Sequence, residues 1–174
     1  KPNREELAEA VGRPLDTLGD VVDAAQLVRS WGVATVVASL GADGAVLVDA
    51  TGVVTGESPV NDPCSSVGAG DALLAGFLAA GGNGAAALAE GLTWGAAAVR
   101  LPGSRMPRPT DLARDQVHIH QRPDLIRPLH SIRNNRVADA SRHLIAQALP
   151  CPFQRRTEAV SHVREKLQST IPWQ

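Results

Sequence analysis

The sequence predicts an α/β fold, a doubly wound sheet with helices on both faces. Helix-period and strand-like apolar runs alternate up to about residue 112, separated by glycine turns. The core material is uniform. Apolar residues make up 44% of the chain, aromatics only 3%, and tyrosine is absent, so packing rests on Ala, Val and Leu. The Ala content raises an all-helical alternative, but propensity alone is a weak prior.

Residues 5–11 predict a short helix after Asn3. Residues 20–31 predict a longer one, with Val21, Ala24, Ala25, Leu27, Val28 and Trp31 along one stripe and Gly32 as its stop. The run Ala-Thr-Val-Val-Ala-Ser at 34–39 is short, apolar and β-branched, and reads as a buried parallel strand. Gly41-Ala42-Asp43-Gly44 predicts a turn. Residues 45–48 and 53–55 follow as strands joined around Thr51-Gly52. A loop at 61–66 leads to helices at 68–80 and 85–100, and Leu101-Pro102-Gly103 stops the second.

The chain changes character near its end. Residues 1–126 carry nine Lys/Arg against fifteen Asp/Glu, and residues 127–174 carry eight against three. The expected division is therefore a domain at 1–128 and a basic extension at 129–174 outside the fold, interrupted by Pro150, Pro152 and Pro172. The tail has few aromatics and no recognisable nucleic-acid module, so no nucleic-acid partner is expected. No apolar stretch is long enough to span a membrane. The two cysteines, Cys64 and Cys151, have no metal-like spacing, and a cytoplasmic location is expected. His118 and His120 fit one face of an exposed strand better than a metal site. There is no Gly-x4-Gly-Lys-Ser/Thr loop, and no Gly-x-Gly-x-x-Gly follows a strand.

The strongest chemical signal is Val67-Gly68-Ala69-Gly70-Asp71 running directly into a helix. Small residues let a ligand approach the backbone, and the first helical amides have no internal partners, so a phosphate fits there. Asp71 in the first turn is placed to accept a proton from an attacking hydroxyl while those amides hold phosphoryl oxygens. In isolation, a tight turn with an acidic residue favouring the helix start explains the same residues equally well.

Gly-Ala-Gly-Asp, preceded by Ser65-Ser66-Val67, resembles the Asp-Thr-x-Gly-Ala-Gly-Asp signature of the ribokinase/phosphofructokinase-B sugar kinases, with Ser-Ser where many members have Asp-Thr. Lys1-Pro2-Asn3, with Glu6 three residues on, resembles a second family motif. Ser39-Leu40-Gly41-Ala42-Asp43-Gly44 resembles a third, and Trp94–Ala98 through Ser104 looks like the family's last helix, which helps wall the adenine. The resemblance covers about residues 1–128 and implies the C-terminal portion of a ribokinase-like fold. It implies Asp71 as catalytic base and Gly68, Ala69 and Gly70 as the anion hole. It places Lys1, Asn3, Ser39, Gly41 and Gly44 at the nucleotide, with Asn3 and Glu6 near Mg²⁺ through water. Asn3 and Glu6 also fit a capping box, and the two readings are compatible. The implied donor is ATP with Mg²⁺, and the implied acceptor a sugar phosphate. Residues 12–15 and 101–107 resemble the 1-phosphofructokinase branch, which implies fructose 1-phosphate, with tagatose 6-phosphate or fructose 6-phosphate as alternatives. A homodimer is implied for a complete protein. The family's sugar-binding glycines precede its Lys-Pro-Asn motif and have no counterpart here. The chain is thus expected to be inactive alone, and a non-catalytic nucleotide-binding or interaction protein is the competing reading.

Overall fold

The computed structural model describes residues 1–128 and Ile132. The chain divides into two compact units, residues 1–137 and 138–174, and the second lies outside the described residues. The weak helical patterns expected at 137–149 and 157–167 lie outside them too.

The first unit opens with helices α1 (Arg4–Val11) and α2 (Leu18–Ser30). Each is closed by a reciprocal capping box. Asn3 Oδ1 accepts the Glu6 amide at 2.7 Å and Glu6 Oε2 accepts the Asn3 amide at 2.8 Å. Thr17 Oγ1 accepts from the Asp20 amide at 3.1 Å and Asp20 Oδ2 from the Thr17 amide at 2.9 Å. Strands β1 (Val36–Ser39), β2 (Ala45–Asp49) and β3 (Gly52–Glu57) follow, then helices α3 (Ala69–Ala79) and α4 (Gly84–Val99), then β4 (His118–Gln121).

The four strands form one sheet in the order β1-β2-β3-β4, with every neighbouring pair antiparallel. On its β2 side this differs from the parallel reading of β1. Only five residues join β1 to β2, whereas a parallel return needs a crossover of a dozen or more. The one parallel contact among the described residues is the bridge between Asn3 and Ser39, where the Ser39 amide donates to Pro2 O at 3.0 Å. Glycine makes the reversal possible. Gly44 has φ +82°, and a Cβ there would fall 2.0 Å from the Gly56 carbonyl.

Side chains alternate between the two sheet faces, and each face carries two helices, as expected. Val36, Ala38, Val46, Val48 and Val53 pack with Leu7 and Val11 of α1 and Val21, Val22 and Ala25 of α2. Val37, Ala45, Leu47 and Val54 pack with Leu73 and Phe77 of α3 and Leu88 and Leu92 of α4. The chain after β4 is tied to α2 by Arg127, which donates to the buried Asp23 at 3.0 Å. His118 and His120 lie exposed on one face of β4, as their spacing suggests.

Candidate active site

The Gly-Ala-Gly-Asp segment forms the entry to α3. Gly68 is the N-cap, with φ +81°, and Ala69, Gly70 and Asp71 make the first helical turn. No side chain caps this helix, in contrast to α1 and α2. Ala69 donates to Ser66 O at 3.2 Å, while the amides of Gly70 and Asp71 have no acceptor among the described residues. Two donors at the positive end of a helix dipole are therefore open to an anion. Asp71 is exposed, and its side chain makes no hydrogen bond or ion pair among the described residues. Its carboxylate is thus not consumed as a cap.

Lys1 reaches this turn. A Cβ built on Gly70 would lie 2.8 Å from Lys1 Nζ, so the ammonium sits directly over the glycine. A side chain at 70 would displace it. Asn3 is held beside Ser39 by the parallel bridge, and the turn carrying Gly41 and Gly44 begins at the next residue. The structure thus brings Lys1 to Gly70 and Asn3 to Ser39. It places Glu6 across from Asn3 in the capping box, which occupies Asn3 Oδ1 and Glu6 Oε2. The second oxygen of Glu6 lies outside the box, so the pair fits a magnesium ion held through water better than one held by both side chains directly. Among the described residues no cluster of three or more His, Cys, Asp or Glu is close enough to hold a metal by itself.

A cavity of about 330 Å³ opens elsewhere, lined by Arg4, Leu18, Asp43, Thr55, Glu57 and His120 among others. It includes none of Gly68 to Asp71. Of the Gly41–Gly44 turn only Asp43 lines it.

Four residues of the surroundings, Glu90, Arg100, Arg114 and Gln116, were not legible from motifs. Glu90 of α4 receives a two-pronged contact from Arg114, Nε at 3.0 Å and Nη2 at 2.7 Å, and also the Trp94 indole N–H at 2.9 Å. The Arg114 hydrogen bonds hold the Glu90 carboxyl below its ordinary pKa. Arg100 Nη2 contacts Gln116 Oε1 and Pro59 O. The four-residue spacing of Glu90 and Trp94 on a helix was a readable signal; the distant partners were not.

With this geometry in place, comparison with known proteins identifies the class as that of the carbohydrate kinases. The pfkB family carbohydrate kinase model matches residues 1–111, and the chain belongs to that family. It is 41% identical over 122 residues to a 1-phosphofructokinase from Haloferax volcanii, an alignment spanning 68% of this chain and 40% of the relative. It is 46% identical over 78 residues to the 1-phosphofructokinase of Escherichia coli K12, spanning 45% of this chain and 25% of the relative. Among solved structures, phosphofructokinase-2 from Escherichia coli in complex with potassium superposes with a TM-score of 0.58 at 34% identity, over 63% of this chain and 37% of that one. The chain thus spans two fifths or less of the length of these relatives.

Proposed function

We propose that this chain carries the nucleotide and catalytic-base portion of an ATP-dependent sugar-phosphate kinase, acting on fructose 1-phosphate to give fructose 1,6-bisphosphate and ADP. The observation that carries the reading is the uncapped start of α3, where free amides, the Lys1 ammonium and an uncommitted Asp71 carboxylate meet. The acceptor hydroxyl oxygen attacks the γ-phosphorus as its proton passes to Asp71. The bond from that phosphorus to the β,γ-bridging oxygen breaks, and ADP leaves. The amides of Gly70 and Asp71 and the Lys1 ammonium neutralise the transferring oxygens. Magnesium, held near Asn3 and Glu6 through water, would add charge neutralisation at the phosphates. The 1-phosphofructokinase relatives support the substrate, and the phosphofructokinase-2 likeness makes fructose 6-phosphate the comparison to run beside it.

A chimera tests this. The chain is joined to the preceding portion of the Haloferax volcanii relative and assayed on both sugar phosphates. Asp71→Asn should lower kcat by about 10²–10⁴-fold with ATP affinity nearly unchanged. A loss of only a few-fold would make Asp71 a helix-start residue and sink the assignment. The 174-residue chain alone should bind ADP·Mg²⁺ yet turn over negligibly, because it spans two fifths or less of its relatives' length, and positioning the sugar can supply about 7–11 kcal/mol of a barrier.

A further inference from the structure

Helix α4 ends in a way that leaves an acceptor for another segment. Arg100 N donates to Ala97 O at 3.3 Å and Leu101 N to Ala98 O at 3.0 Å, closing the last turn. The next amide in that series would come from residue 102, but Pro102 has no N–H. The Val99 carbonyl instead accepts from Cys64 at 2.8 Å and from Ser65 at 3.1 Å. These two residues lie shortly before Gly68, in a stretch with no regular secondary structure. One residue on, Arg100 Nη2 reaches the Pro59 carbonyl at 3.4 Å and also Gln116 Oε1. Within α4, Gly95 lies against the turn itself: a Cβ there would come 3.4 Å from Ala69 O.

We propose that the C-terminal turn of α4 anchors the anion-binding turn of α3, with Arg100 as a positioning residue and Pro102 keeping the Val99 carbonyl available. The proposal rests on the anion-site reading above. Its physical basis is that open helix amides serve a phosphate only if the chain entering the helix is held in one place. The partial negative charge at the end of α4 attracts the two amides of that chain. Arg100 fixes the same loop a few residues earlier and couples it to the segment around Gln116, so the two loops move together or not at all.

Cys64 is exposed and reports on the loop. In a Cys151→Ser background, the wild-type chain, Arg100→Ala, Arg100→Lys and Pro102→Ala are compared. Four quantities are measured: the rate of Cys64 modification by a thiol reagent, amide exchange at 64–65, the Kd for ADP·Mg²⁺, and the thermal midpoint. Losing one hydrogen bond of ordinary strength predicts labelling and exchange about 3- to 10-fold faster, and ADP binding weaker by a similar factor. The midpoint should move little, and Arg100→Lys should recover part of each effect. Unchanged labelling in both Arg100→Ala and Pro102→Ala overturns the anchor. Faster labelling with unchanged ADP affinity overturns the positioning role. A wild-type chain that does not bind ADP overturns the anion-site reading and this role with it, whereas equal binding by wild type and variants leaves that reading standing and sinks the positioning role alone.

Discussion

Asp49 shows how a single carboxylate can organise two connections. It closes β2, and its Oδ1 accepts from the Thr51 amide at 2.7 Å and the Thr51 hydroxyl at 2.6 Å, while Oδ2 accepts from Gly84 at the start of α4 at 3.3 Å. Burial works to raise its pKa, but the hydrogen bonds from Thr51, Gly84 and Gly52 outweigh it and hold the value below 3.8. A depressed folded pKa adds stability that is fully present above the unfolded value and disappears as pH falls through the folded one. Asp49→Asn should therefore lower stability at pH 7 by about 1–3 kcal/mol and flatten the acid limb below pH ~4. Urea midpoints measured from pH 7 down to 3 give both quantities. Gly44 is the second residue-scale test. Its left-handed conformation and the 2.0 Å approach to the Gly56 carbonyl leave no room for a methyl group. Gly44→Ala should cost about 3 kcal/mol, from backbone strain plus overpacking, read as a drop in the thermal midpoint.

At the scale of elements, the contact between α3 and α4 depends on glycine. A Cβ on Gly76 would meet Trp94 Cδ1 at 2.6 Å, and one on Gly91 would meet Leu73 O at 2.8 Å. Alanine is the better helix former by about 0.5–1 kcal/mol, but the clash should win. Gly76→Ala is expected to destabilise by about 1–3 kcal/mol and to shift Trp94 fluorescence; a stabilised variant would show that the helices can part without loss. The sequence foretold the helices because their signals are local: Asn3 before residues 5–11, the apolar stripe from Val21 to Trp31 with Gly32 after it, Gly68 before Ala69, and Pro102 after α4; the Thr17 cap, which starts α2 at Leu18, was missed. The antiparallel pairing of β1 with β2 was missed too, because a buried apolar run looks alike in parallel and antiparallel sheets; the shortness of the Leu40–Gly44 connection decides that pairing. The Gly-Ala-Gly-Asp turn was legible as contiguous residues. The Arg114 contact with Glu90 was not, because it spans 24 positions and exists only once β4 returns the chain to the sheet.

For the whole chain, the position of Ile132 bears on where the fold stops. Ile132 is 4% exposed and its amide donates to Pro128 O at 3.4 Å. The first compact unit runs to Val137, nine residues beyond the boundary expected from the charge pattern. Ending the chain at Val137 should leave the melting temperature of the remainder unchanged. Ending it at Pro128 should cost about 1.5–3 kcal/mol, the burial of one isoleucine. Differential scanning calorimetry of the two truncations separates the cases. Equal midpoints would place the boundary at 128 after all, and a large fall for the longer one would show that residues 138–174 support the unit.

The rims of the sheet have a consequence for handling the protein. The sheet has two unlike rims. On one, β4 is the short polar run His-Ile-His-Gln, which discourages further pairing. On the other, β1 is buried, with Val36 at 2%, Val37 at 3% and Ala38 at 0% exposed, so neither rim offers an open template for pairing in concentrated solution.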